Sequence, residues 1–126
     1  MTFNAGIITT KFVQTKAFYI EKLGFELVFE NEFYVLLTGF GDRISFLKPE
    51  HPTQAPIFRP VFAGRGVYLT IDVEDVDAEY ARLKARGVPM EVDLRDEPWG
   101  DRHFAVVDPN GIGIDFVTYT EPGGSG

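Results

Sequence analysis

The sequence predicts an α+β fold built from two β-α-β-β-β modules in tandem. Three observations predict it: one order of hydrophobic periodicities occurs twice, each helix-like stretch is closed by a glycine (Gly24, Gly87), and a proline-rich stretch separates the copies. A chain of 126 residues, 44% apolar, with 12 Phe, 5 Tyr and one Trp, is sized for a single domain with one well-filled core. The expected layout is module 1 over residues 3–48, a connector over 49–65, module 2 over 66–120 and a flexible tail over 121–126.

In module 1 a strand over 5–9 precedes a stretch, 12–23, with Phe12, Val13, Ala17, Tyr19, Ile20 and Leu23 at helical spacing. Strand-like runs follow at 25–29, 33–38 and 44–47, the last two joined by a Gly39–Phe40–Gly41–Asp42 turn. Module 2 opens on an alternating strand, 67–73, with Val67, Leu69, Ile71 and Val73 on one face and Tyr68, Thr70 and Asp72 on the other. Asp75 is placed to cap a helix running to Arg86, whose buried stripe is Val76, Tyr80 and Leu83. Its acidic start and basic end suit the helix dipole. Three strands at 90–95, 102–107 and 112–118 complete the module, the last two joined by the tight turn Asp108–Pro109–Asn110–Gly111. Pro49, Pro52, Pro56 and Pro60 disfavour any regular element in the connector.

Charge narrows the function classes. The net charge of −7 argues against a nucleic-acid partner, which needs a basic face to neutralise phosphates. Residues 1–48 are balanced, whereas residues 66–120 hold the acidic excess. The absence of cysteine excludes disulfides, thiolate metal sites and a cysteine nucleophile. With no apolar run near 18 residues and no secretory layout in residues 1–10, a soluble cytoplasmic protein without a membrane partner is expected.

Three stretches together suggest a family: Ala17–Phe18–Tyr19 with Leu23–Gly24–Phe25, then Val73–Glu74–Asp75–Val76–Asp77, then Asp108–Pro109–Asn110–Gly111. They resemble the vicinal-oxygen-chelate superfamily of glyoxalases, extradiol dioxygenases, fosfomycin-resistance and bleomycin-binding proteins, over residues 3–118. The resemblance implies a cup formed by two concave mixed-sheet half-barrels, and in the enzymes a divalent metal held by His or Glu. The four ligand positions fall on Asn4, Ser45, Tyr68 and Asp115, of which only Asp115 is an ordinary metal-binding carboxylate. The resemblance therefore implies a metal-free, cofactor-free binder, with a homodimer as the superfamily's habit. The alternative is a metal-dependent lyase, isomerase or dioxygenase with an atypical ligand set, such as Asp115 with His103.

Within the superfamily, Pro98–Trp99–Gly100, Arg102, Phe104–Ala105 and Asp108–Pro109 are similar to bleomycin-binding resistance proteins, where the Trp lies at the drug groove. Trp99 is either a ligand platform or a ring folded back to close the barrel mouth. His103 faces either the cup or the helix side, and His51 reads as an exposed connector residue. Phe58 and Phe62 line the pocket or an interface, or pack locally. By strand parity Ile8, Leu47, Thr70 and Val117 join Asn4, Ser45, Tyr68 and Asp115 on the pocket face. The expected ligand-binding set is thus Trp99, Tyr68, Asp115, His103, Ser45, Asn4, Phe58, Phe62, Thr70 and Arg102. It suits an amphipathic or cationic small molecule, with the carboxylates around Trp99 favouring a cation.

Overall fold

A computed structural model describes residues 3–119; the 121–126 tail lies outside the described residues. The chain divides into two compact units, Met1–Arg65 and Gly66–Gly126. Each is a four-stranded mixed sheet covered on one face by a helix, so the α+β class with two β-α-β-β-β modules is what the chain adopts.

In the first unit β1 (Ala5–Ile8) leads into α1 (Phe12–Ala17), then β2 (Glu26–Glu30), β3 (Tyr34–Gly39) and β4 (Asp42–Leu47). The sheet order is β1-β4-β3-β2, with β1 parallel to β4 and the other pairs antiparallel. The helix does not run evenly to residue 23. Phe18–Lys22 continues it as a π-helical turn, in which Leu23 N–H donates to Phe18 O at 3.2 Å. The buried stripe becomes Thr15, Tyr19 and Leu23, while Val13 is 73% exposed and leaves the expected apolar face. Tyr19 is the hub, with ring centroids 4.9 Å from Phe46, 5.5 Å from Phe25 and 5.6 Å from Phe18. Ile7, Val35, Leu37 and Ile44 fill the remaining core.

The β3–β4 turn is shorter than expected, because pairing extends to Gly39 opposite Asp42 and leaves only Phe40 and Gly41 at the tip. Both have positive φ, 54° and 78°, which matches the twist of a two-residue hairpin. A Cβ on Gly39 would sit 2.6 Å from the Phe25 ring, so glycine there lets the aromatic lie on the strand.

The connector holds more structure than its prolines suggest. Pro56–Phe58 forms one 3-10 turn, and Arg59 closes the loop by donating to Gln54 O at 2.7 Å and Pro52 O at 3.3 Å. His51 is half-buried rather than exposed, stacked on Phe33 with centroids 3.8 Å apart.

The second unit repeats the plan with β5 (Tyr68–Asp72), α2 (Val76–Ala85), β6 (Val92–Asp96), β7 (Asp101–Val107) and β8 (Gly113–Tyr119), in the order β5-β8-β7-β6. Asp75 caps α2 by accepting from Ala78 N–H at 3.1 Å. Phe104 and Phe116 stack at 4.9 Å beneath the helix, and Tyr80 meets Phe104 edge-on at 5.4 Å. Val76, Leu83, Val106 and Ile114 are buried around them.

Both sheets carry an extra residue in their second strand. Leu27 and Phe29 oppose Leu37 and Leu36, and Val92 and Arg95 oppose Ala105 and His103. Each is a β-bulge that reverses the facing of the residues after it.

Candidate functional site

The second sheet sorts its side chains by strand register. Phe104, Val106, Ile114 and Phe116 turn to α2, whereas His103, Ala105, Asp115 and Val117 share the opposite, open face. Thr70 lies beside Asp115 on β5, and Tyr68, two residues earlier, is 72% exposed on the same face. The bulge in β6 brings Arg95 opposite His103 and so onto this face as well.

At its centre three side chains form a chain of hydrogen bonds. His103 Nδ1 lies 2.7 Å from Asp115 Oδ1, and His103 Nε2 lies 2.8 Å from Glu97 Oε2. Arg95 completes the line, with its Nε 3.0 Å from Glu97 Oε2. A neutral imidazole has one N–H and one lone pair, so satisfying two carboxylates requires the doubly protonated ring. Burial works against the charged ring, but the hydrogen bonds to Glu97 and Asp115 and the charges of both outweigh it, and the His103 pKa is raised.

A raised histidine pKa gives stability that is complete below the unfolded value of about 6.5 and is lost as pH rises through the folded value. Urea stability is therefore expected to fall as pH rises from about 6.5 through the raised folded value, and to fall less in His103→Gln. Equal slopes in the two proteins would refute a charged His103.

Trp99 sits in the turn between β6 and β7. Glu97 N–H donates to Asp101 O at 2.7 Å and Gly100 N–H to Glu97 O at 3.0 Å, which closes that turn. The indole is 55% exposed, and its Nε1 donates to Asp101 Oδ2 at 2.8 Å. The other carboxylate oxygen, Asp101 Oδ1, is buried without a hydrogen-bond partner, a state that costs about 1–3 kcal/mol. Burial raises the pKa of the Tyr119 hydroxyl, and the carboxylates of Asp72, Asp101 and Asp115 raise it further, so this end of the open face lies in a negative field.

The expected residues are not all gathered. Arg102 shares the helix-side face with Phe104 and is ion-paired to Asp77 of α2 at 2.9 Å and to Asp96 at 3.1 Å. Val117 lies on the open face by register yet is only 1% exposed. Several carboxylates around Trp99 are engaged by the protein itself: Asp93 by Tyr80, Asp96 by Arg102, and Glu97 by Arg95 and His103. They are poorly placed to attract a cation as a group. Arg95 and the pairing of Glu97 with His103 were missed, Glu97 having been expected only among the carboxylates around Trp99, because the bulge that aims them leaves no mark in the hydrophobic pattern.

In the first unit, Ser45 pairs with Gly6 and Leu47 with Ile8, all on the open face of that sheet, and Asn4 is exposed just before β1. Phe58 is 51% exposed at the 3-10 turn, whereas Phe62 is half-buried with its N–H donating to Ile8 O at 2.7 Å.

The four superfamily ligand positions do not fit a divalent metal. Asn4, Ser45 and Tyr68 offer only neutral oxygens, and Asp115 already accepts from His103. Among the described residues no group of three or more His, Asp or Glu side chains is arranged to hold a metal ion. No helix of the described residues is long and apolar enough to cross a membrane.

Comparison with known proteins matches residues 4–116 to the model of the Glyoxalase/Bleomycin resistance protein/Dioxygenase superfamily. The chain is 31% identical over 108 residues to the bleomycin resistance proteins of Geobacillus stearothermophilus and Staphylococcus aureus, covering 79% of this chain and 82% of each relative. A glyoxalase/bleomycin resistance protein/dioxygenase from Nocardioides superposes with a TM-score of 0.81 at 23% identity, over 100% of this chain and 87% of that one. Lactoylglutathione lyase from Agrobacterium tumefaciens gives a TM-score of 0.76 at 21% identity, over 94% of this chain and 92% of its own. The last two likenesses concern the fold. With nearly the whole chain matched, and with the two-module topology in place, the protein belongs to the glyoxalase/bleomycin resistance protein/dioxygenase superfamily.

Proposed function

We propose that the protein binds and sequesters a small amphipathic molecule without a metal, as a cytoplasmic homodimer, in the manner the names of its bleomycin resistance relatives suggest. The observation that carries this reading is Trp99, a large ring left more than half exposed in a turn and pinned by Asp101. A flat, rigid ring offers stacking area at low entropic cost, and Tyr68 and Thr70 add an exposed aromatic and a hydroxyl on the open face. The buried, unpartnered Asp101 Oδ1 favours a ligand bearing an N–H donor or a cationic nitrogen, reached when Trp99 shifts over it. His103, Asp115 and Glu97 supply a polar, charge-compensated floor.

Bleomycin is a suitable probe, and the single tryptophan is the reporter. Saturable quenching of wild-type emission is expected. Trp99→Ala, followed by calorimetry, is expected to weaken binding about tenfold or more, equivalent to about 1.4 kcal/mol. Native mass spectrometry of freshly purified protein extends the test to other ligands. Retention of about one divalent metal per chain after dialysis, with turnover that depends on it, would overturn the proposal in favour of a metal enzyme.

A further inference from the structure

We infer that Glu97 is a positioning residue: through His103 it clasps the Trp99 turn to the middle of β8, and so sets the orientation of the indole. Its importance for ligand binding rests on the reading of Trp99 as a platform; the clasp itself does not.

Three observations converge on Glu97. It opens the turn that carries Trp99, with its own N–H and C=O bonded to Asp101 and Gly100. Its side chain is 10% exposed, well hidden for a carboxylate in a surface turn, and it is met by Arg95 on one side and His103 on the other. His103, 16% exposed, then hands the line on to Asp115, which lies within β8 between β5 and β7 and is thereby fixed. The chain Arg95–Glu97–His103–Asp115 alternates positive and negative groups, so each link is charge-assisted and shorter or stronger than a neutral bond. The two ends differ in rigidity. Asp115 is anchored by strand pairing on both sides, whereas Glu97 belongs to a turn next to a bulge. Cutting the chain therefore frees the turn and leaves β8 in place.

Trp99 is only two residues from Glu97, and its Nε1 bond to Asp101 holds the ring but not the backbone beneath it. Without the clasp, the turn can shift against Asp101, which pairing with Tyr119 of β8 holds in β7, and the indole is reoriented with the turn. That separates positioning from stability: a loosened turn changes the environment of the indole while the Phe104–Phe116 core, on the other face of the sheet, is untouched.

The test is a double-mutant cycle on the intact chain without ligand, using Glu97→Ala, His103→Ala and the pair. Near-ultraviolet CD, acrylamide quenching and the indole Nε1–H NMR signal report on Trp99, while far-ultraviolet CD and the urea midpoint report on the fold. Glu97→Ala is expected to lose the wild-type tryptophan CD band and shielding from acrylamide while keeping the far-ultraviolet spectrum. Adding His103→Ala is expected to add nothing further, since both cut the same chain. Glu97→Gln, which keeps an acceptor oxygen, is expected to recover part of the signal. Wild-type tryptophan signals in Glu97→Ala, or independent additive effects of the two substitutions, would overturn the clasp; should His103→Ala fail to fold, the first outcome still decides. If the Trp99 signals change as expected while bleomycin and co-purified ligands fail to bind the wild type, the platform reading falls and the clasp stands.

Discussion

Replacing Phe104 by alanine is expected to cost about 3–5 kcal/mol, read as a shift in the urea unfolding curve. The ring is fully buried, parallel to Phe116 at 4.9 Å and edge-on to Tyr80 at 5.4 Å, so its removal strips contacts from the sheet below and the helix above. Burial of a large apolar side chain accounts for about 1.5–3 kcal/mol, and the cavity left beneath α2 supplies the remainder. Leu83 and Val106, both fully buried, have little freedom to close the gap. A loss below about 2 kcal/mol would mean that α2 settles onto the sheet and that the packing is softer than these distances imply. Phe104→Leu, which retains most of the volume, should recover much of the loss.

The second large effect belongs to a polar residue. Asp108 is 4% exposed, and its Oδ1 accepts from Asn110 N–H at 2.7 Å and from Ile112 N–H at 3.0 Å, while Oδ2 lies 3.4 Å from the Asn110 amide nitrogen. Alanine would leave those donors without this acceptor, and Ile112 is itself only 2% exposed. At about 1–3 kcal/mol for a buried unsatisfied group, Asp108→Ala is expected to cost about 2–4 kcal/mol in the same unfolding assay, with Asp108→Asn between it and the wild type. The effect should also reach the open face. The turn fixes the pairing that sets Ala105 opposite Asp115 and His103 opposite Val117, and it is this register that brings His103 within 2.7 Å of Asp115. A cost below about 1 kcal/mol would mean that Gly111, the turn residue with positive φ, sets the hairpin without help from the carboxylate.

Much of this was legible before any coordinates. The order of elements shows in the chain because each strand and helix buries one face, and burial writes a period of two or of 3.6 into the residues. The cap at Asp75 and the stripe Val76, Tyr80 and Leu83 follow from the same logic. The His103–Asp115 contact was within reach too, since counting outward from the Asp108–Gly111 turn sets them diagonally across a hairpin. Arg102 could have been assigned to the helix side by its parity with Phe104, whose burial is obvious from sequence. Other features leave no such trace. Val13 and Thr15 exchange their expected places because the buried stripe runs through Thr15, Tyr19 and Leu23, four residues apart, and leaves Val13 on the other side; the π turn at Phe18–Lys22 is likewise a backbone event that composition does not record. Glu97 and Arg95 reach the open face only because β6 contains one residue more than its partner strand spans. A clasp assembled from a turn, a bulge and two strands is a tertiary object, and local patterns describe only its parts.

That additional residue also gives β6 a point at which a change in chain length can be absorbed. Exchange of Asp93 or Leu94 for another amino acid alters one side chain. Excision of either would straighten β6 and leave Arg95 opposite His103, because Val92 and Arg95 would then be spaced as Ala105 and His103 are. Val28 occupies the corresponding place in β2. Each module thus has one point at which relatives can differ by a single residue and still present the same side chains on the open face.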